Sequence, residues 1–162
     1  MIAWILVLAQ LFNGKRFRTL TLVDTYTREC LATHVGQSIR GIDVVSVLEG
    51  LIPLRGKPEH IRVDNGPEFI SKDLDLWAYS NGVHLRFSRP GKPTDNAFME
   101  SFNGSLRDEC LQSNWFLSLD DAKDKIETWR RDYNEYRPHS SLGYKTPADF
   151  AARYEAPDSL SG

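Results

Sequence analysis

HIRVDNGPEF, residues 60 to 69, decides how this chain is read. Residues 60 to 63 have the composition of a short buried strand, and the run stops at Asp64 in an Asn65-Gly66-Pro67 turn. A carboxylate is thereby set at the C-terminal edge of a strand, where open sheets collect their ligands. A second acid, Glu100, follows in NAFMESFNG (residues 96 to 104), with 35 residues between the two. The chain from 95 to about 112 has helical periodicity, with Thr94 or Asp95 as the N-cap. Phe98, Phe102 and Leu106 fall on one face of that helix and Asn96, Glu100, Asn103 and Arg107 on another, so docking the apolar face leaves Glu100 toward a cleft. Asp64 and Glu100 are therefore expected to converge to within about 8 Å, close enough to share or flank one hydrated hard cation. Such a cation can activate a water or a 3′-hydroxyl against a phosphodiester.

The rest of the sequence arranges itself around this pair. MIAWILVLAQ (1–10) is a continuous apolar run up to Gln10, too short to span a bilayer, and is expected to be a strand buried on both faces. Asn13-Gly14 signals a hairpin into RFRTLTLVD (16–24), and CLATHVG (30–36) supplies a third strand. A helix is expected over residues 42 to 54, with Ile42, Val45, Leu48 and Leu51 near one face and Pro53 and Gly56 at its end. A second helix capped by Ser71 carries Leu74, Leu76 and Trp77, and the strand VHLRFS follows Asn81-Gly82. Ser118 opens a helix reaching about Tyr133 with Ala122, Ile126 and Trp129 on its buried side, and Thr146-Pro147 opens a last short one. The order predicts an α/β layered domain with a five-stranded mixed sheet flanked by helices.

Composition bounds the function. With 162 residues, 41% hydrophobic and 26% charged, the chain fits one globular core, which excludes disordered and fibrous classes. A net charge of −2 excludes gripping nucleic acid by bulk electrostatics. Any such contact must be local, and Arg86, Arg89 and Lys92, with Arg107 further on, form the cluster available for it. Cys30 and Cys110 are too few for a disulfide framework or a zinc site, and neither they nor His34, His60, His84 and His139 show metal-ligand spacing. The expected setting is the reducing cytoplasm, with no membrane segment.

Four segments in order, FNGKRFRTLTLVDTYTREC (12–30), HIRVDNGPEF (60–69), SRPGKPTDNAFMESFNGSLRDECL (88–111) and WRRDYNEYRPHSSLGYKTPADF (129–150), resemble the second-frame transposase of IS-three family insertion sequences. That family has a retroviral-integrase-like, RNase-H-like catalytic core. The resemblance implies DNA transposition and integration by metal-dependent phosphoryl transfer, with Asp64 and Glu100 as catalytic and metal-binding acids of a D-D-E set. It implies Mg²⁺ or Mn²⁺ as cofactor, with transposon ends and target DNA as partners, and self-association or a full-length transposase as a further partner. Asn96 joins Arg86, Arg89, Lys92 and Arg107 as candidate DNA contacts. The first acid of the set is missing: the aligned position falls on Ile5 without gaps, or on Val7 when Trp4 is matched to the family's tryptophan. Asp24 is expected to cap its own turn rather than substitute. The integrase-like core is expected over residues 1–154, N-terminally truncated without the helix-turn-helix reader and including a C-terminal helical extension, with 155–162 a flexible tail. The copy is read as truncated or degenerate, so whether it is an enzyme stays open. The alternative is a non-catalytic remnant that binds DNA or a transposase partner. In the signature YNEYRPHSSLGY, Tyr133, Asn134, Arg137, Pro138 and His139 suit either packing or nucleic-acid contact.

Overall fold

The computed structural model describes residues 2–63, 71–87 and 97–153. Strands β1 (Ile2–Gln10), β2 (Arg16–Asp24) and β3 (Cys30–Gly36) form the expected meander, followed by α1 (Gly41–Arg55), β4 (His60–Val63), α2 (Lys72–Asn81), β5 (His84–Phe87), α3 (Ala97–Leu106) and α4 (Leu119–Tyr136). Residues 147–153 form a last helical turn, α5. The sheet order is β3-β2-β1-β4-β5, with the meander antiparallel and β1, β4 and β5 parallel. Asn13 and Gly14 close the first hairpin: Lys15 N–H donates to Asn13 Oδ1, and Gly14 takes the positive φ of 86° that a side chain would resist.

Strand alternation gives the sheet two apolar faces. Ala3 and Val7 of β1 and Phe17 and Val23 of β2 join Met99, Phe102 and Leu106 of α3 and Ile126, Trp129 and Tyr133 of α4 in one cluster. Ile2, Leu20 and Leu22 join Val44 and Leu48 of α1 and Leu74 and Trp77 of α2 in the other. α1 and α2 approach closely at one point: a Cβ on Gly41 would lie 1.9 Å from Ser71 Oγ, so only glycine fits where the two helices begin. Ser71 Oγ itself accepts from Leu74 N–H, and Ser118 Oγ from Asp121 N–H, which makes both the N-caps expected.

Several details depart from the sequence reading. On α1 the buried residues are Gly41, Val44 and Leu48, and Ile42 is 45% exposed, because the helix turns its 44/48 stripe to the sheet. Pro53 lies inside α1 rather than ending it, and Gly56 is the cap. Leu76 points away from the sheet and is exposed, while Leu74 and Trp77 are buried. On β1, Ile2, Ala3 and Val7 are buried, whereas Leu8 is 59% exposed. Among the described residues, β4 pairs with β1 at Ile2 and Ala3 alone. The helix expected to reach residue 112 is α-helical through Leu106 and continues as a π turn, Arg107–Leu111, closed by Gln112 N–H donating to Arg107 O at 2.8 Å. The proposed cap at Thr94 or Asp95 and the tail at 155–162 lie outside the described residues.

Asn134 joins α4 to the sheet. Its Oδ1 accepts from Cys30 N–H at 2.8 Å and its Nδ2 donates to Cys30 O at 2.9 Å, so the amide stands in for a strand at the start of β3. The tie falls beside the register shift at Leu22/Val23, where the β2–β3 ladder is irregular. Arg130 Nη1 adds a third bond, to Cys30 O at 3.0 Å. Asn134→Ala leaves a buried N–H without a partner, at roughly 1–3 kcal/mol, and removes one bond to the carbonyl. The expected loss is ~2–4 kcal/mol, read as a lower urea midpoint at unchanged m-value. Asn134→Asp should lose as much, because a carboxylate cannot donate to Cys30 O.

Candidate active site and nucleic-acid contacts

α3 carries Glu100 in its first turn, where a carboxylate meets the positive end of the helix dipole. Burial of Met99, Phe102 and Leu106 against the sheet and α4 sets the helix azimuth and leaves Glu100 exposed to solvent. Its expected partner, Asp64, lies outside the described residues, and so does the predicted approach of the two carboxylates. β4 delivers the chain toward it: Ile61 and Val63 are buried, and Val63 is the last strand residue before that segment.

The position at which the first acid of the set is expected is on β1, the central strand. Ile2 pairs with Ile61 and Ala3 with Arg62, so Val63 is level with position 4 of β1, and position 5 is the next residue along. Val7 is two residues further on, only 3% exposed, and packed in the α3/α4 cluster. Across the β1–β2 ladder, position 5 faces Thr21 and Val7 faces Thr19, both threonines being fully buried. No residue of Ile2–Gln10 is acidic. Asp24, the nearest acid on β2, is committed to its turn: Oδ1 accepts from Tyr26 N–H at 2.8 Å and Thr27 N–H at 3.0 Å, and Oδ2 is 3.9 Å from the Arg55 guanidinium. Among the described residues no group of three or more His, Cys, Asp or Glu side chains could hold a metal ion. β1 thus offers no carboxylate to a divalent ion.

The candidate DNA contacts are spread. Arg86 is exposed on β5, and its Nε donates to His60 Nδ1 across the β4–β5 pair at 3.3 Å. Arg107 opens the π turn and lines a cleft of about 530 Å³ between the far half of β1 and residues 111–115. Asn103 is half-buried and its Oδ1 has no protein partner among the described residues. Arg89, Lys92 and Asn96 lie outside them. In the C-terminal signature, packing accounts for Tyr133 and Asn134: Tyr133 is buried between Phe102 and Trp129, and Asn134 holds β3. His139 packs edge-on to Tyr133 at 5.1 Å. Arg28 was not singled out by sequence. A lone arginine in the turn TYTRE carries no signal, yet its guanidinium lies 4.1 Å above the Phe98 ring at the foot of α3.

Comparison with known proteins agrees with this architecture. Two models of the integrase core domain match, one over residues 5–93 and one over residues 81–147. The uncharacterized 31.7 kDa protein of insertion element IS407 from Burkholderia multivorans is 49% identical over 150 residues, 93% of this chain and 54% of that protein. The uncharacterized 39.2 kDa protein of insertion element IS476 from Xanthomonas euvesicatoria is 48% identical, covering 89% of this chain and 42% of that protein. The chain therefore spans about half the length of these curated relatives. Among solved structures, the HTLV-2 integrase catalytic core domain in complex with magnesium superposes with a TM-score of 0.70 at 20% identity, over 92% of this chain and 93% of that one. That likeness establishes the RNase-H-like fold. The chain belongs to the integrase core domain family and is similar to proteins encoded by insertion elements.

Proposed function

We propose that this chain is the core of a transposase for DNA transposition and integration, extending over residues 1–154, whose phosphoryl-transfer site is degenerate. One observation carries the reading: the central strand keeps its place and pairing but has no carboxylate anywhere between Ile2 and Gln10. A divalent ion in such a site polarises the scissile phosphate and activates the attacking oxygen. Asp64 and Glu100 are the acids left to hold Mg²⁺ or Mn²⁺ here, and the bridging ligand has no candidate. The remaining role is non-catalytic: contact with DNA, or with a second or full-length transposase chain.

Position 5, rather than 7, is the place of the lost acid. It lies next to the level of Val63, the residue before Asp64, whereas a carboxylate at Val7 would be buried among Phe102, Leu106 and their neighbours. Burying it there costs several kcal/mol or forces it to stay protonated. The unmodified chain is expected to show no strand cleavage or joining on transposon-end DNA with Mg²⁺ or Mn²⁺ and a supplied end-binding partner. Ile5→Asp is expected to gain at least ~10²-fold over that background, the scale of restoring one transition-state contact. Val7→Asp is expected to gain nothing and to lower the melting temperature. Activity in the unmodified chain that vanishes in Asp24→Asn would show that Asp24 supplies the third acid, and would end this proposal.

For DNA, Arg86, Arg89, Lys92 and Arg107 can neutralise about four phosphates. Binding should therefore be weak and should fall by ~10²-fold between ~50 and ~200 mM salt. Arg89→Ala with Lys92→Ala should remove most of it. Tight binding that ignores salt, measured by fluorescence anisotropy on the same duplex, would contradict the assignment.

A further inference from the structure

A second concavity, of about 540 Å³, lies where the first turns of α3 meet the turn after α4, and Glu100 does not line it. Among the described residues, its charged lining residues are Arg28 and Arg137, and no carboxylate lines it. In a chain with a net charge of −2 this is a local reversal of sign. Arg137 shares its charge with Glu109, 2.5 Å away. Arg28 has no carboxylate partner among the described residues; its guanidinium rests on Phe98, and its backbone sits at φ 68°, where a non-glycine residue is strained. Strain of this kind persists where the surroundings impose it, and it gathers at binding sites.

The rest of the lining is rich in donors. Ser101 and Ser105 lie one turn apart on α3, and Ser140 and Ser141 face them from the turn after α4. Tyr133 and His139 line the same space, and Tyr133 Oη and His139 Nε2 are buried with no protein partner among the described residues. Such groups are costly unless something fills their hydrogen-bonding capacity. Burial raises the Tyr133 hydroxyl, so it remains a donor. Burial first, then the Arg137 and Arg28 charges, lower His139, so its imidazole stays neutral near neutral pH with one N–H to give. Positive charge, hydroxyls and a neutral imidazole around one cavity suit a compact oxyanion that accepts several bonds at once.

We propose that this pocket binds a phosphate group, with Arg28 as the main cation and the Ser101, Ser140 and Ser141 hydroxyls as donors. The phosphate is either a backbone phosphodiester of nucleic acid or a free anion. The first source rests on the nucleic-acid reading above, and the second does not. The test uses the full isotope-labelled chain in EDTA, so that no catalysis enters, titrated in separate arms with inorganic phosphate and with a short duplex lacking terminal phosphates. The Ser101, Ser140 and Ser141 amides and Arg28 Nε should shift in the phosphate arm, and the His139 pKa should rise as the anion offsets the arginines. Arg28→Gln should weaken that binding by ~10-fold or more, the scale of a lost charge-assisted bond. Ser101→Glu, at an exposed helix position that tolerates substitution, should abolish it by repulsion. Arg40→Gln, an exposed arginine before α1, is the control for general charge.

If the duplex shifts the same residues, the source is backbone phosphate. If it shifts only residues around Arg86 and Arg107, the source is the free anion. Phosphate shifts that map elsewhere, or Arg28→Gln behaving like Arg40→Gln, would overturn the site. Neither result depends on whether Ile5→Asp restores strand transfer, so failure here and failure of the transposase reading remain distinguishable.

Discussion

The whole arrangement depends on one side-chain amide. β2 and β3 cannot pair evenly where the ladder shifts at Leu22/Val23, and the first residue of β3 there needs a partner for both its N–H and its carbonyl. Asn134 supplies both, from a helix more than a hundred residues away in sequence. An asparagine amide is the side-chain equivalent of a peptide group, with donor and acceptor at matching spacing, so it can close a strand end as a neighbouring strand would. The bond fixes the height of α4 against the sheet. Trp129 and Tyr133, on the same helix, then meet Phe102 in edge-on contacts at 5.5 and 5.1 Å, and those contacts place α3. The azimuth of Glu100 is thus a remote consequence of Asn134.

This dependence leaves the fold without any need for a carboxylate on its central strand. The sheet is held by apolar faces on both sides, by the Asn134 tie and by the close approach at Gly41. None of these uses a carboxylate on β1. A buried or half-buried acid on a central strand is a cost to folding, offset in an active enzyme by the metal it binds. Replacing it by Ile or Val removes that cost and adds apolar surface to a strand already rich in it. On the degenerate-site reading proposed above, stability and function pull in opposite directions at this position, so losing the acid need not disturb anything that packs.

Legibility in the sequence followed the range of the forces. The strand limits, the caps at Ser71 and Ser118 and the Asn13-Gly14 hairpin rest on contacts within a few residues, and they were readable. The face of α1 was not: Ile42, Val45, Leu48 and Leu51 fit one helical stripe as well as Val44 and Leu48 do, and only the sheet decides between them. Continuous apolar character in MIAWILVLAQ suggests cover on both faces, but Leu8 stands in solvent. Of the site, sequence marked Glu100, Arg86 and Arg107. It could not mark Arg28, whose place comes from an unusual backbone angle and a distant ring. Nor could it rank packing over recognition for Tyr133 and Asn134, since an aromatic-amide pair suits both until its partners are known.

The π turn at Arg107–Leu111 completes the argument about α3. An α-helix advances each residue by about 100°, so a wider turn re-aims every side chain that follows it. Cys110 and Leu111 turn inward to the core, and Glu109 stands where Trp129 Nε1 reaches it at 3.0 Å and the Arg137 guanidinium at 2.5 Å. Both partners belong to α4 or its end, so Glu109 pins the tail of α3 to the helix that Asn134 has already fixed. The head of α3 is held by Met99 and Phe102 on the sheet. A helix held at both ends cannot rotate, and Glu100 and the pocket-facing Ser101 and Ser105 therefore keep separate directions on the same rod. One direction carries Glu100 into solvent. The other lines the arginine-bearing cavity, so substitutions on the two faces can act independently while sharing the same supports.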